Sequence, residues 1–112
     1  MRNTLKSPGD IDKLFSLGKR IADPNLVLLY RRTPEERGLD GRVVFVAGKK
    51  TGGAVFRNRA KRVLRAAVGR RGGVWPGYDV ALIARKGTPS TNPSQLDAAL
   101  RRLSQRIAGR ST

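Results

Sequence analysis

The hydrophobic period of this chain changes abruptly across one short segment, and that change limits the folds it can adopt. From Arg42 to Ala47 the residues alternate, with Val43 and Phe45 on one side and Val44 and Val46 on the other, which is the pattern of a strand. From Ala54 onward Phe56, Ala60, Val63, Leu64 and Ala67 recur at helical spacing and predict an apolar stripe on an amphipathic helix that Gly69 ends. The intervening Gly48-Lys49-Lys50-Thr51-Gly52-Gly53 is rich in glycine and carries two lysines. A strand followed by a cationic turn and a helix calls for a mixed α and β architecture.

The flanking sequence extends this pattern. Ser7-Pro8-Gly9-Asp10 combines a capping hydroxyl, a proline at the first helical position and an acid three residues after the cap. The helix it predicts has Ile11, Leu14 and Phe15 as its apolar positions and stops at Gly18. Leu26–Tyr30 is a continuous apolar strand, and 20–22 adds a short edge strand before the Asp23-Pro24-Asn25 turn. The polar, turn-rich stretch 33–41 makes an antiparallel hairpin the simplest link from Leu26–Tyr30 to the strand at 42–47. After a glycine-rich loop at 72–77, Tyr78–Ala84 forms a further strand with Val80, Leu82 and Ala84 on one face. Asn92-Pro93 then starts a last helix whose apolar face is Leu96, Ala99, Leu100, Leu103 and Ile107, closed by Gly109. The order is αβββαβα. It describes an α+β single-domain sandwich over residues 1–112, with a sheet of about four strands, three helices, and flexible ends at 1–6 and 110–112.

Charge narrows the function. The 112 residues include 24 Lys and Arg against 8 Asp and Glu, a formal net charge of +16. This selects a polyanionic partner, and nucleic acid leads because each neutralised phosphate releases counterions. Arg outnumbers Lys seventeen to seven, which suits bidentate phosphate contacts and stacking, and favours RNA with exposed loops. No apolar run approaches the ~20 residues of a spanning helix, and 1–20 lacks the apolar block of a signal peptide, so a cytoplasmic protein is expected. Cys and His are both absent, which removes thiolate nucleophiles, disulfides, the usual zinc sites and the imidazole base. The carboxylates Asp10, Asp12, Asp23, Glu35, Glu36, Asp40, Asp79 and Asp97 show no sequence grouping of the kind a two-metal nuclease uses. No protein-borne catalytic group or bound cofactor is expected.

The cations are concentrated. Between Lys49 and Gly73 there is no acid. On the predicted helix Arg57, Lys61 and Arg65 stack along one side with Asn58 and Arg62 beside them, roughly opposite the apolar stripe, while Arg59 flanks the stripe from its other edge. Solvated charged faces normally mix signs, so this single-signed arc, with Lys49 and Lys50 just before it, is a candidate RNA-contacting surface.

The run Lys49-Lys50-Thr51-Gly52-Gly53-Ala54-Val55-Phe56-Arg57-Asn58-Arg59-Ala60-Lys61-Arg62-Val63-Leu64-Arg65 resembles the signature of the bacterial ribonuclease P protein subunit, of the form KK-x-G-x-A-V-x-RNR-x-KR-x-x-R. The order of the remaining elements agrees, including Tyr78-Asp79 leading to Ile83-Ala84-Arg85-Lys86, so the resemblance covers nearly the whole chain. It implies a non-catalytic subunit of an endoribonuclease whose RNA removes the 5′ leader of precursor tRNA by Mg²⁺-dependent hydrolysis. The protein binds both the catalytic RNA and the leader, one protein per RNA and monomeric when free. Carried onto matching positions, Lys49, Lys50, Arg57, Asn58, Arg59, Lys61, Arg62 and Arg65 face the catalytic RNA. The leader cleft, formed by the first helix and the central sheet, points to Ile11, Phe15, Val27 and either Leu29 or Tyr30. Ile11 stands where the family usually has an aromatic, and Gly48 where it more often has Ser. The resemblance also implies a left-handed βαβ crossover, against the common rule. A ribosomal or general structural RNA-binding protein is the alternative; a membrane-active role is disfavoured because the amphipathic helices are committed to a core.

Overall fold

The structure, a computed structural model, describes residues 4–110. Seven main elements follow one another: α1 (Pro8–Leu17), β1 (Lys19–Ala22), β2 (Leu26–Arg32), β3 (Arg42–Val46), α2 (Ala54–Arg70), β4 (Tyr78–Ala84) and α3 (Pro93–Arg110). Single 3₁₀ turns occupy Glu35–Arg37, Lys49–Thr51 and Thr88–Ser90. The predicted order of helices and strands is the observed one, including the short edge strand.

The sheet has the order β1-β2-β4-β3. β1, β2 and β4 are antiparallel neighbours, whereas β3 lies parallel to β4. The hairpin predicted between β2 and β3 therefore does not form: β4 inserts between them, and the stretch 33–41 crosses the end of the sheet. Gly41 fixes that crossing, because a Cβ there would fall 2.1 Å from the Trp75 carbonyl oxygen and 2.7 Å from that of Tyr78. Arg37, from the same stretch, pairs with the buried carboxylate of Asp79 on β4 and bonds the Asp40 carbonyl at 2.8 Å.

The two faces of the sheet bury different helices. Ile21, Leu28, Tyr30, Val43, Phe45, Val80 and Leu82 pack with Leu64, Ala67 and Val68 of α2 and Leu96, Leu100 and Leu103 of α3 to form the main core. Strand alternation sends the intervening residues to the other face, where Leu29 and Ala81 pack under Leu14 of α1 together with Leu5. Leu5 donates its amide to Val43 at 2.8 Å and Thr4 bridges to the same residue. The flexible end expected over 1–6 is thus corrected for Thr4 and Leu5, which are held because Leu5 fills the space below α1; residues 1–3 and 111–112 lie outside the described ones.

Local chemistry accounts for the helix limits. Pro8 occupies the start of α1, and Gly18 stops it with its amide on the Leu14 carbonyl at 2.9 Å. A side chain at Gly18 would come within 2.3 Å of that oxygen. α2 has no side-chain cap at Gly53 and runs one residue past Gly69, and α3 likewise continues past Gly109 to Arg110. At the far end of α2, Trp75 donates its indole N–H to Ser104 at 2.9 Å, and the Arg71 guanidinium lies 4.1 Å from its ring centroid. These contacts seat the glycine-rich loop against α3.

Candidate nucleic-acid interface

The buried residues of α2 are Ala60, Leu64, Ala67 and Val68, and nothing before Ala60 is buried. The first turn and a half of the helix therefore projects beyond the sheet. This corrects the prediction for Phe56, which continues the i, i+4 row of Ala60 and Leu64 yet is 53 % exposed. The stripe defined the inward side of the helix, but the sheet ends before the helix does.

The projecting turn and the flank behind it carry the predicted cations. Lys49, Lys50, Asn58, Arg59, Arg62 and Arg65 are exposed, and Arg57 and Lys61 are half-buried. Arg57, Lys61 and Arg65 are not opposite the apolar stripe as predicted. They run beside it along the β3 side, because a step of four residues advances only slowly around a helix, and Arg65 rests over the Phe45 ring at 5.3 Å. Among the described residues, the ion pairs join Arg37 to Asp79, Arg42 to Asp40, Arg70 to Asp97 and Arg102 to Asp23. None involves a cation between Lys49 and Arg65. That cationic surface is left without an internal counter-charge.

The opposite face of the sheet holds a second cationic feature. Beside α1, Val27 and Ile83 floor an open groove of about 590 Å³ whose walls carry Arg20, Lys50, Arg85 and Lys86. Ile83 also packs against the cluster under α1. Of the residues expected in a cleft, Val27 lies in this floor, Leu29 is buried under α1, Ile11 is half-buried against the same cluster, and Phe15 is 45 % exposed on α1. Tyr30 is excluded: its register partner is Val80 and it sits in the main core on the other face, edge-on to Tyr78. Arg20 has no signal in the sequence, and Arg85 and Lys86 stand out only as part of the segment after β4 that follows the family order; the strand order brings the three to one groove. Lys50 lines the groove and stands in the turn leading into α2, so the two cationic surfaces meet there.

Asp23, Asp40, Asp79 and Asp97 are taken up in ion pairs within the scaffold. Burial acts to raise the pKa of Asp23, but the Asn25 amide at 3.0 Å and the Arg102 guanidinium at 3.0 Å outweigh it and hold the carboxyl below its ordinary value. The hydrogen bond from Arg37 to Asp79 raises the Arg37 pKa further and keeps the guanidinium charged. Among the described residues no three carboxylate, imidazole or thiolate groups converge where they could hold a metal ion. No helix there is long and apolar enough to cross a membrane. The arrangement presents two cationic surfaces and an apolar-floored groove.

Known proteins share this fold. The family model Ribonuclease P matches residues 1–108. The ribonuclease P protein component of Bacillus velezensis is 39% identical over 85 residues, covering 76% of this chain and 72% of that protein. That of Oceanobacillus iheyensis is 32% identical over 100 residues, covering 88% and 81%. Among solved structures, the RNase P protein of Thermotoga maritima superposes with a TM-score of 0.76 at 26% identity over 92% of this chain and 96% of that one. The RNase P protein of Staphylococcus aureus gives 0.77 at 22% identity over 94% of each, which speaks for the fold. Sequence signature, element order and sheet topology converge, and the chain belongs to the ribonuclease P family as a protein component of that endoribonuclease.

Proposed function

We propose that this protein binds the catalytic RNA of ribonuclease P through the cationic side of α2, and the 5′ leader of precursor tRNA through the groove beside α1. In this reading the RNA carries the hydrolysis and its Mg²⁺ requirement, and the protein contributes binding. The observation that carries the proposal is the row of α2 cations with no carboxylate partner, joined at Lys50 to the groove over Val27 and Ile83. Each unpaired guanidinium can replace a counterion on RNA. An apolar floor between cationic walls suits a single strand, whose bases pack on the floor while its phosphates meet the walls. Arg20, Lys50, Arg85 and Lys86 thereby reduce repulsion between leader and catalytic RNA.

The experiment is precursor tRNA cleavage by the catalytic RNA across a Mg²⁺ titration at moderate salt, with and without the protein. The protein should lower the Mg²⁺ needed for cleavage. An unchanged requirement, with the protein co-purifying on ribosomal RNA, would instead favour a general structural RNA-binding role.

A further inference from the structure

An aromatic ring stands in the middle of the projecting cationic turn with no place in the core. Phe56 is 53 % exposed and its neighbour Val55 is 75 % exposed, and the chain around them from Lys49 to Gly73 contains no acid. The lysine turn also passes close to it. A Cβ at Gly52 would lie 3.1, 3.2 and 3.3 Å from Phe56 Cβ, Cδ2 and Cγ, and Gly52 has φ +129, where side chains are strained. Glycine thus lets the lysine turn pass close to the base of the Phe56 side chain, where any larger residue would crowd it.

We propose that Phe56 is a stacking platform for an unpaired base of the RNA bound by α2. The inference rests on the reading of α2 as an RNA-contacting surface and adds one point of base recognition to it. A half-exposed aromatic ring, with only two χ angles to order, costs little entropy on binding. Lys49, Lys50, Arg57 and Arg59 lie within a few residues of it and supply phosphate contacts on either side, the pairing of aromatic and cation that single-stranded segments require. An apolar protein partner is disfavoured by the same cations, which would have to be desolvated without counter-charges. Duplex RNA is disfavoured as well, since its bases are already stacked.

The test is the affinity of the full-length protein for the catalytic RNA of its own ribonuclease P at several salt concentrations. Wild type is compared with Phe56→Ala, Phe56→Leu and Phe56→Trp, each first shown by circular dichroism to be folded. Stacking predicts that Phe56→Ala weakens binding about 5- to 150-fold with no change in the salt slope. Phe56→Trp should bind within about twofold of wild type, and Phe56→Leu should not restore affinity. Wild-type affinity in Phe56→Ala, or full restoration by Phe56→Leu, would overturn the inference while leaving the RNA-binding reading intact. Failure of the wild-type protein to bind this RNA would overturn both.

Discussion

The guanidinium of Arg65 lies 5.3 Å from the centroid of the Phe45 ring, joining the cationic row of α2 to β3 at the edge of the sheet. The contact shields Phe45, which is only 9 % exposed, and it leaves the charge of Arg65 without a carboxylate. Arg65→Ala should therefore have two separable effects. Loss of the cation–π contact should lower stability by about 0.5–1 kcal/mol in urea unfolding. Loss of the charge should flatten the dependence of log affinity for the catalytic RNA on log salt by about one charge's share. An unchanged slope would remove Arg65 from the interface.

Two glycines should respond oppositely to the same substitution. Gly41→Ala places a methyl group against the Trp75 and Tyr78 carbonyls, where backbone has to move. It should cost about 2–3 kcal/mol and lower Tm by roughly 10 °C. Gly48 has nothing within 4 Å of a built Cβ and an ordinary φ of −89, so Gly48→Ala should leave Tm nearly unchanged. Thermal unfolding of the two variants checks both.

Asp23 should make a measurable contribution to the acid sensitivity of the fold. Its carboxyl is depressed in the folded state, because its hydrogen bonds outweigh the opposing effect of burial. A depressed acid stabilises the fold at pH values above its unfolded pKa, near the ordinary 3.8, and that contribution disappears as pH falls through the folded pKa. The stability difference between wild type and Asp23→Asn should hold constant from neutral pH to about pH 5 and shrink below it. A difference that grows on acidification would reverse the assignment.

Much of this architecture is written in the chain, and the parts that are not have physical reasons. Periodicity identifies the inward side of α2 through Ala60, Leu64 and Ala67, because a helix carries its own repeat. It does not reveal how far the sheet extends beneath that side, which is why Phe56 reads as core and proves exposed. The apolar run Leu26–Tyr30 marks a strand, but a strand buried on both faces does not say which residues meet α1. Only the register with β4 sends Leu29 to one face and Tyr30 to the other. The hairpin predicted between β2 and β3 fails because sequence adjacency cannot anticipate β4 inserting between them. That same strand order assembles the groove cations Arg20, Arg85 and Lys86. The α2 signature, by contrast, lies on one continuous helix, so its cations are legible without knowledge of the fold.

The absence of cysteine allows the central claim to be tested by position. A single cysteine can be placed at exposed Asn58 on α2 or at exposed Gln105 on α3, and an iron–EDTA group attached to each. After assembly with the catalytic RNA, radical cleavage from position 58 should map to a confined region of that RNA, while position 105 gives weak or diffuse cleavage. Cleavage from position 58 no stronger or more localised than from position 105 would contradict the assignment of α2 as the RNA-binding surface.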